Sequence, residues 1–306
     1  MSESGIDPYF WIVDRVNPWE LHHHAVSRIL ARATTPHQEL MIVEIGGCAK
    51  ALVLDGKIQS CTIDEFIYHE ALVHLACVCH GGPRSALVLG GGEGATAREL
   101  LRWHTIERIR MIDIDADVVT ACRTHLPELH QGAFDDPRFE LVIGDALDLL
   151  DTTDTRWDIV ISDLSDPVED GPSASLFTQE TFQKVRRVLA EDGFFVVQAG
   201  SVGPIDMSLH VRLVNTIATV FDHVAPYSAC VPSFGSPWGF CLASSQPIDT
   251  VPDPAVVDVL LQQKTKAGLR AFDGRTMLGL FQIPLHVRRA IELERDVYTM
   301  RSPPRA

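Results

Sequence analysis

Asp163 and Asp166 stand in the stretch DLSDPVEDGP (163–172), where four of ten residues are carboxylates. It follows WDIVIS, an apolar run that reads as a buried strand. A carboxylate at the end of a core strand can accept hydrogen bonds from a primary ammonium and take its proton. The chemistry requires such a group, because an alkylammonium titrates at about 10.4 and has no lone pair. In a closed, low-dielectric pocket, burial raises the acid and lowers the amine, which brings the two together. The plain alternative is a solvated turn in which Asp163 caps a loop.

A second group supports the site. Gly90-Gly91-Gly92-Glu93-Gly94 falls between a short apolar strand, SALVL, and the helix that follows. Glycines there, Gly91 among them, let a ligand approach the backbone at the carboxyl end of a sheet. Asp113 ends the next strand and can accept both ribose hydroxyls of a nucleoside. Asp145, ending VIGD, adds an acceptor where an adenine amino group could be read. The turn lacks the Gly-Lys-Ser/Thr of a phosphate loop. Glu93 would repel a pyrophosphate and welcome a positive group. A nucleoside with a sulfonium or amine and no phosphate fits best, which points to S-adenosylmethionine or a derivative.

These residues need a particular scaffold. From Arg84 onward strands alternate with helices: SALVLGGGEGATARELLRW, RIRMIDID, DVVTACRTHL, FELVIGDA, WDIVISD, QETFQKVRRVLAEDG and FFVVQAG. That order predicts a doubly wound α/β sheet with helices on both faces. HVAPYSACVP and WGFCLASS read as a closing antiparallel pair, after a helix near MSLHVRLVNTIATVF. The tail from Pro252 reads as largely helical. In front, residues 39–63 alternate as a small antiparallel meander, and DEFIYHEALVHLACVCHGG reads as a helix with Asp64 at its N-cap. The expected division is an N-terminal β domain, 1–64, and a Rossmann-like catalytic domain, 65–306.

Composition bounds the partners. The chain has 306 residues, 46% hydrophobic and 22% charged, with a net charge of −15. Nucleic acid calls for a basic footprint, so it is not an expected partner, whereas a cationic ligand is suited. No stretch is long and apolar enough to span a membrane. The N-terminus has no basic region followed by an apolar core, so a cytoplasmic location is expected. The seven cysteines read as reduced thiols, with Cys77 and Cys79 in an apolar run. His22, His23 and His24 lack acidic or cysteine partners at useful spacing and read as a surface run, so no metal is expected.

VLDGKIQSCTIDEFIYHEALVH, LGGGEGATARE, MIDIDADVV, FDDPRFELVIGDA, DLSDP, ASLFTQETF and FFVVQAG together resemble the polyamine aminopropyltransferases, the spermidine/spermine synthase family. The match runs collinearly from about Gln38 to Ser244. The resemblance implies a core similar to class I methyltransferases and no permanently bound cofactor. It implies decarboxylated S-adenosylmethionine as co-substrate and a polyamine acceptor: spermidine, putrescine or agmatine. An amine attacks the carbon next to sulfur and 5′-methylthioadenosine leaves. By the same resemblance Asp163 is the catalytic base, and Tyr68 and Asp166 position the amine. Gln38, Gln59, His69, Glu93, Asp113, Asp145 and Ala146 form the donor site. Homodimers or homotetramers are common in the family.

The chain departs from the pattern in three places. The glycine turn carries Glu93 where aspartate is frequent, VEDGP resembles an insertion in an acidic loop that would close over the amine, and Phe234 replaces a tyrosine near the substrate. GGGEGATARE, the longer loop, VAPYSACVPS and WGF resemble the thermospermine synthase branch, with Trp238 lining a wider channel beside a cationic chain. A putrescine or agmatine acceptor, a methyltransferase using intact S-adenosylmethionine, and a nucleoside-binding module without activity are the other readings.

Overall fold

A computed structural model describes residues 10–17, 19–46, 49–167 and 173–304. Five strands build a first, antiparallel sheet in sequential order: β1 (Phe10–Asn17), β2 (Glu20–Thr34), β3 (Glu39–Ile45), β4 (Ala49–Leu54) and β5 (Lys57–Cys61). The sheet is therefore larger than the meander expected over 39–63. Its two added strands include the histidine run, where strand alternation leaves His23 exposed and half-buries His22 and His24. The run is thus part of a sheet face and not a plain surface stretch.

The second sheet holds β6 (Ser85–Gly90), β7 (Arg108–Asp113), β8 (Phe139–Ile143), β9 (Trp157–Asp163), β10 (Leu189–Ser201), β11 (His223–Cys230) and β12 (Pro237–Ser244). Their spatial order is β11-β12-β10-β9-β6-β7-β8. The central pairs are parallel, and β12 runs antiparallel to both β10 and β11. This is the doubly wound, Rossmann-like sheet the alternation predicts. All six residues of β6 are buried, as expected of a strand covered on both faces. Order reverses between β6 and β9, and the crevice at such a switch point is where open α/β sheets bind ligands.

One face packs against α1 (Glu65–His80), α2 (Ala95–Leu100) and the tail helices α8 (Pro254–Lys264) and α9 (Gly274–Leu280). Between α2 and α8 the chain forms α3 (Ala116–His125), α4 (Pro127–His130), α5 (Ala146–Thr152), α6 (Gln179–Val188) and α7 (Ser208–Ala218). The other face packs against α5, α6 and α7, and α10 (Leu285–Leu293) lies on α7. Two local expectations are corrected. α6 ends at Val188 and not at Gly193, because Leu189 already pairs with Trp157 as strand β10. Asp64 occupies the N-cap position of α1, but its carboxylate accepts from Ser233 N (2.7 Å) and Oγ (3.0 Å) instead of capping.

Candidate active site

β6 ends in a turn that only glycine can make. Gly90 and Gly91 have φ of +81° and +78°, and a Cβ on Gly90 would sit 2.3 Å from the Asp163 carbonyl oxygen. The turn therefore presses against the end of β9, with Gly90 paired to Asp163 and Gly91 N donating to Asp163 O at 2.9 Å. Strand geometry thus brings the glycine turn and the acidic stretch together, although Gly90 and Asp163 are far apart in the chain.

A cavity of about 570 Å³ opens at this point. Seven carboxylates and two basic side chains line it among the described residues. Glu93, Asp113, Asp145 and Asp163 stand at the strand ends. Asp14, Asp166 and Asp206 form a second acidic group with Lys57 acting on Asp166, and Arg15 lines the same cavity. Gln38 and Gln59 reach in from the first sheet, Ala146 from the start of α5, and Tyr68, Phe234 and Trp238 form an aromatic wall. Phe234 meets Tyr68 edge-on at 5.7 Å and Trp238 at 4.8 Å.

Asp163 is held from both sides. Tyr68 Oη donates to Oδ1 (2.8 Å) and Thr96 Oγ1 to Oδ2 (2.6 Å). Burial, with the Glu93 carboxylate nearby, nevertheless pushes Asp163 up to about 6. Burial and Glu93 likewise push Asp113 up to about 6, against a hydrogen bond from Asp115 N. Burial raises Asp166 as well. Tyr68 is pushed well above the usual phenol range by burial and by Asp163, so it remains a donor.

Of the residues expected to bind ligand, all but His69 line the cavity. His69 is 1% exposed and lies behind the wall, donating from Nε2 to Glu93 Oε1 at 2.8 Å. Of the closing loop, residues 168–172 lie outside those described. Two further residues hold the site groups in place and were not singled out from the sequence. Thr96 shows no signal, because its contact with Asp163 depends on the phase of α2 against β9. Gln198 does show one, as a polar residue inside an apolar strand. It donates to Leu164 O (2.8 Å) and Asp166 Oδ1 (3.2 Å), and accepts from Trp238 Nε1 (3.1 Å). It thereby fixes the acidic stretch to the aromatic wall.

Fold and cavity together place a carboxylate-rich cavity at the switch point of a Rossmann-like sheet. Residues 65–251 match the spermine/spermidine synthase domain. A polyamine aminopropyltransferase of Synechococcus sp. (strain JA-2-3B'a(2-13)) is 51% identical over 304 residues, covering 97% of each chain. One from Sulfurisphaera tokodaii is 37% identical, covering 96% of this chain and 97% of that one. A crystal structure of spermidine synthase in complex with the transition state analogue AdoDATO superposes with a TM-score of 0.86 at 26% identity, covering 94% of this chain and 96% of that one. The chain belongs to the spermine/spermidine synthase family, the polyamine aminopropyltransferases.

Proposed function

We propose that the chain moves the aminopropyl group of decarboxylated S-adenosylmethionine to a polyamine amine, with spermidine as acceptor and thermospermine or spermine as product. Gln38, Gln59, Gly91, Asp113, Asp145 and Ala146 hold the nucleoside, and Glu93 faces its positive end. Tyr68 and Asp166 orient the acceptor, and Phe234 and Trp238 flank its alkyl chain. The amine nitrogen attacks the carbon bonded to sulfur. The carbon–sulfur bond breaks, its electron pair stays on sulfur, and 5′-methylthioadenosine leaves as a neutral thioether. No general acid is needed, so catalysis rests on alignment and on Asp163 taking the ammonium proton. With Asp163 near 6, the gap to an alkylammonium is about 4 units instead of about 6.5 in water.

The observation that carries the longer acceptor is the second acidic group, Asp14, Asp166 and Asp206, in the same cavity as Asp163. It supplies carboxylates for ammonium groups beyond the reacting one. Lys57 and Arg15 favour a second reading, since they offset part of that charge and suit a shorter diamine such as putrescine, or agmatine. A product assay separates the two. Purified protein is incubated with decarboxylated S-adenosylmethionine and each of putrescine, agmatine, spermidine and spermine, with chromatography that resolves spermine from thermospermine. Tetraamine from spermidine is the expected result. Product only from putrescine or agmatine would replace the acceptor and keep donor and base, and no product from any amine would overturn the reading.

A further inference from the structure

Behind the cavity wall runs a buried series of charges of alternating sign. Arg102 Nε lies 2.7 Å from Glu99 Oε2, and Arg98 Nε 2.7 Å from Glu99 Oε1. The Arg98 fork grips Glu65, with NH1–Oε1 at 3.1 Å and NH2–Oε2 at 2.8 Å. Glu65 Oε2 accepts from His69 Nδ1 at 2.8 Å, and His69 Nε2 donates to Glu93 Oε1 at 2.8 Å. Only Glu93 in this series lines the cavity. Glu65, Arg98 and His69 are 5%, 6% and 1% exposed, so their bonds are largely shielded from solvent.

We propose that Glu65 and Arg98 are positioning residues for the transfer reaction, acting through His69 to fix where Glu93 sits and how much negative charge the base Asp163 faces. The proposal rests on the reading of Asp163 as base. Both His69 nitrogens face only oxygen acceptors, Nδ1 the Glu65 carboxylate and backbone carbonyl (each 2.8 Å) and Nε2 the Glu93 carboxylate, so a doubly protonated ring satisfies every partner. His74, five residues on, is different: its Nδ1 accepts from Trp103 Nε1 (3.0 Å), and only its Nε2 faces an acid, Glu99 (2.9 Å). The groups around His69 are Glu65 and Tyr68 on its own helix, Glu93 from the glycine turn and Asp163 from β9, with Arg98 of α2 behind Glu65. Burial opposes a charge on His69, yet its bonds to Glu65 and Glu93 raise it to about 10.

Ligating atoms of His69, Glu93 and Asp163 lie within 4.8 Å of one another. Two carboxylates that close raise each other's proton affinity, and a cation beside them offsets the effect. With Glu65 neutral, His69 would have one acid partner, lose its proton at lower pH, and leave Asp163 facing an uncompensated Glu93.

The test is E65Q in the full chain, with two readouts. Imidazole ¹⁵N shifts, assigned with H69N, follow the charge on His69, and the pH profile of aminopropyl transfer follows Asp163. In E65Q the His69 midpoint should fall by about 4 pH units or more, to about 6 or below, so that His69 is neutral across the acid limb of kcat, which should rise by about 1 unit. At pH 7 kcat should drop about twofold and at pH 5 about tenfold, with KM for the amine changed less than about threefold. If the unpaired Arg98 prevents folding, E65Q/R98M removes both charges and the same shifts are expected. An unchanged His69 midpoint, or a uniform activity loss without a moved profile, overturns the proposal. D163N separates this from failure of the base itself: full turnover in D163N sinks the base reading and the link drawn from it, whereas an inactive D163N with an unmoved His69 in E65Q sinks the charge series alone.

Discussion

Asp163 combines two properties that usually oppose each other. Both of its oxygens accept short hydrogen bonds, from Tyr68 and Thr96, which hold the side chain in one orientation. Such bonds favour the charged form, yet burial and Glu93 outweigh them and leave Asp163 near 6. At neutral pH it is therefore ionised, but more basic than a solvent-exposed aspartate. Two outcomes follow for the proposed base. Turnover should fall as pH drops below about 6, by about tenfold per unit, because protonated Asp163 cannot accept the ammonium proton. D163N should lower kcat about a hundredfold or more while binding of 5′-methylthioadenosine, read by calorimetry, stays within about threefold. Turnover near that of the unaltered protein, or a flat profile between pH 5 and 7, would take Asp163 out of that role. Tyr68 keeps its proton throughout this range, so it contributes no limb of its own.

Elements bring these residues together by register. Gly90 opposes Asp163 across the β6–β9 pair, and Gly92 lies where a Cβ would be 2.7 Å from Asp113 Oδ2. G92A should displace the Asp113 carboxylate and weaken 5′-methylthioadenosine binding by about tenfold, the size expected from losing hydrogen bonds to a charged group. Unchanged affinity by calorimetry would show that Asp113 does not hold the nucleoside. This part of the site was readable because β6 and β9 hold the apolar runs ALVL and IVI, β7 alternates as RIRMI, and each strand stops at glycine or acid. Strands β1 and β2 were not readable for the opposite reason. β2 is 15 residues long, and register shifts between Val26 and Arg28 and between Ile29 and Ala31 break the two-residue period. At the end of α6, Val188 and Leu189 continue an apolar pattern that fits helix as well as strand. Pairing with Trp157, absent from any local window, decides for strand. Glu65 and Arg98 carry no signal in the sequence, since burial of a charged residue depends on a partner 33 positions away.

At the scale of the whole molecule, the cavity is an assembly of both sheets. The first sheet and its loops supply Asp14, Gln38, Lys57 and Gln59, and the strand ends of the second and the loops after them supply the remaining acids, with Asp206 in the connection from β10 to α7. Buried α1 carries Tyr68 into the cavity and Glu65 and His69 behind it. Its own buried charge, Glu70, is satisfied by the backbone N–H groups of Arg270, Ala271 and Phe272, which ties the tail to the same helix. No helix among the described residues is long and apolar enough to cross a membrane. The chain carries a net −15 overall, and seven carboxylates line the cavity against two basic groups. A field of one sign focused in a cleft attracts ligands of the other sign, and salt weakens that attraction where the charges meet water. A polyamine carries two or more charges into this field, whereas the proposed donor brings its charge on one sulfonium and one ammonium and gains much of its binding from the nucleoside. Raising sodium chloride from about 50 to about 500 mM should therefore raise KM for the amine about fivefold and KM for the donor less than about twofold. Steady-state kinetics with each substrate varied in turn check this. Equal salt effects on both constants would mean that the acidic lining does not draw in the amine, and that Asp14, Asp166 and Asp206 act only through direct contact.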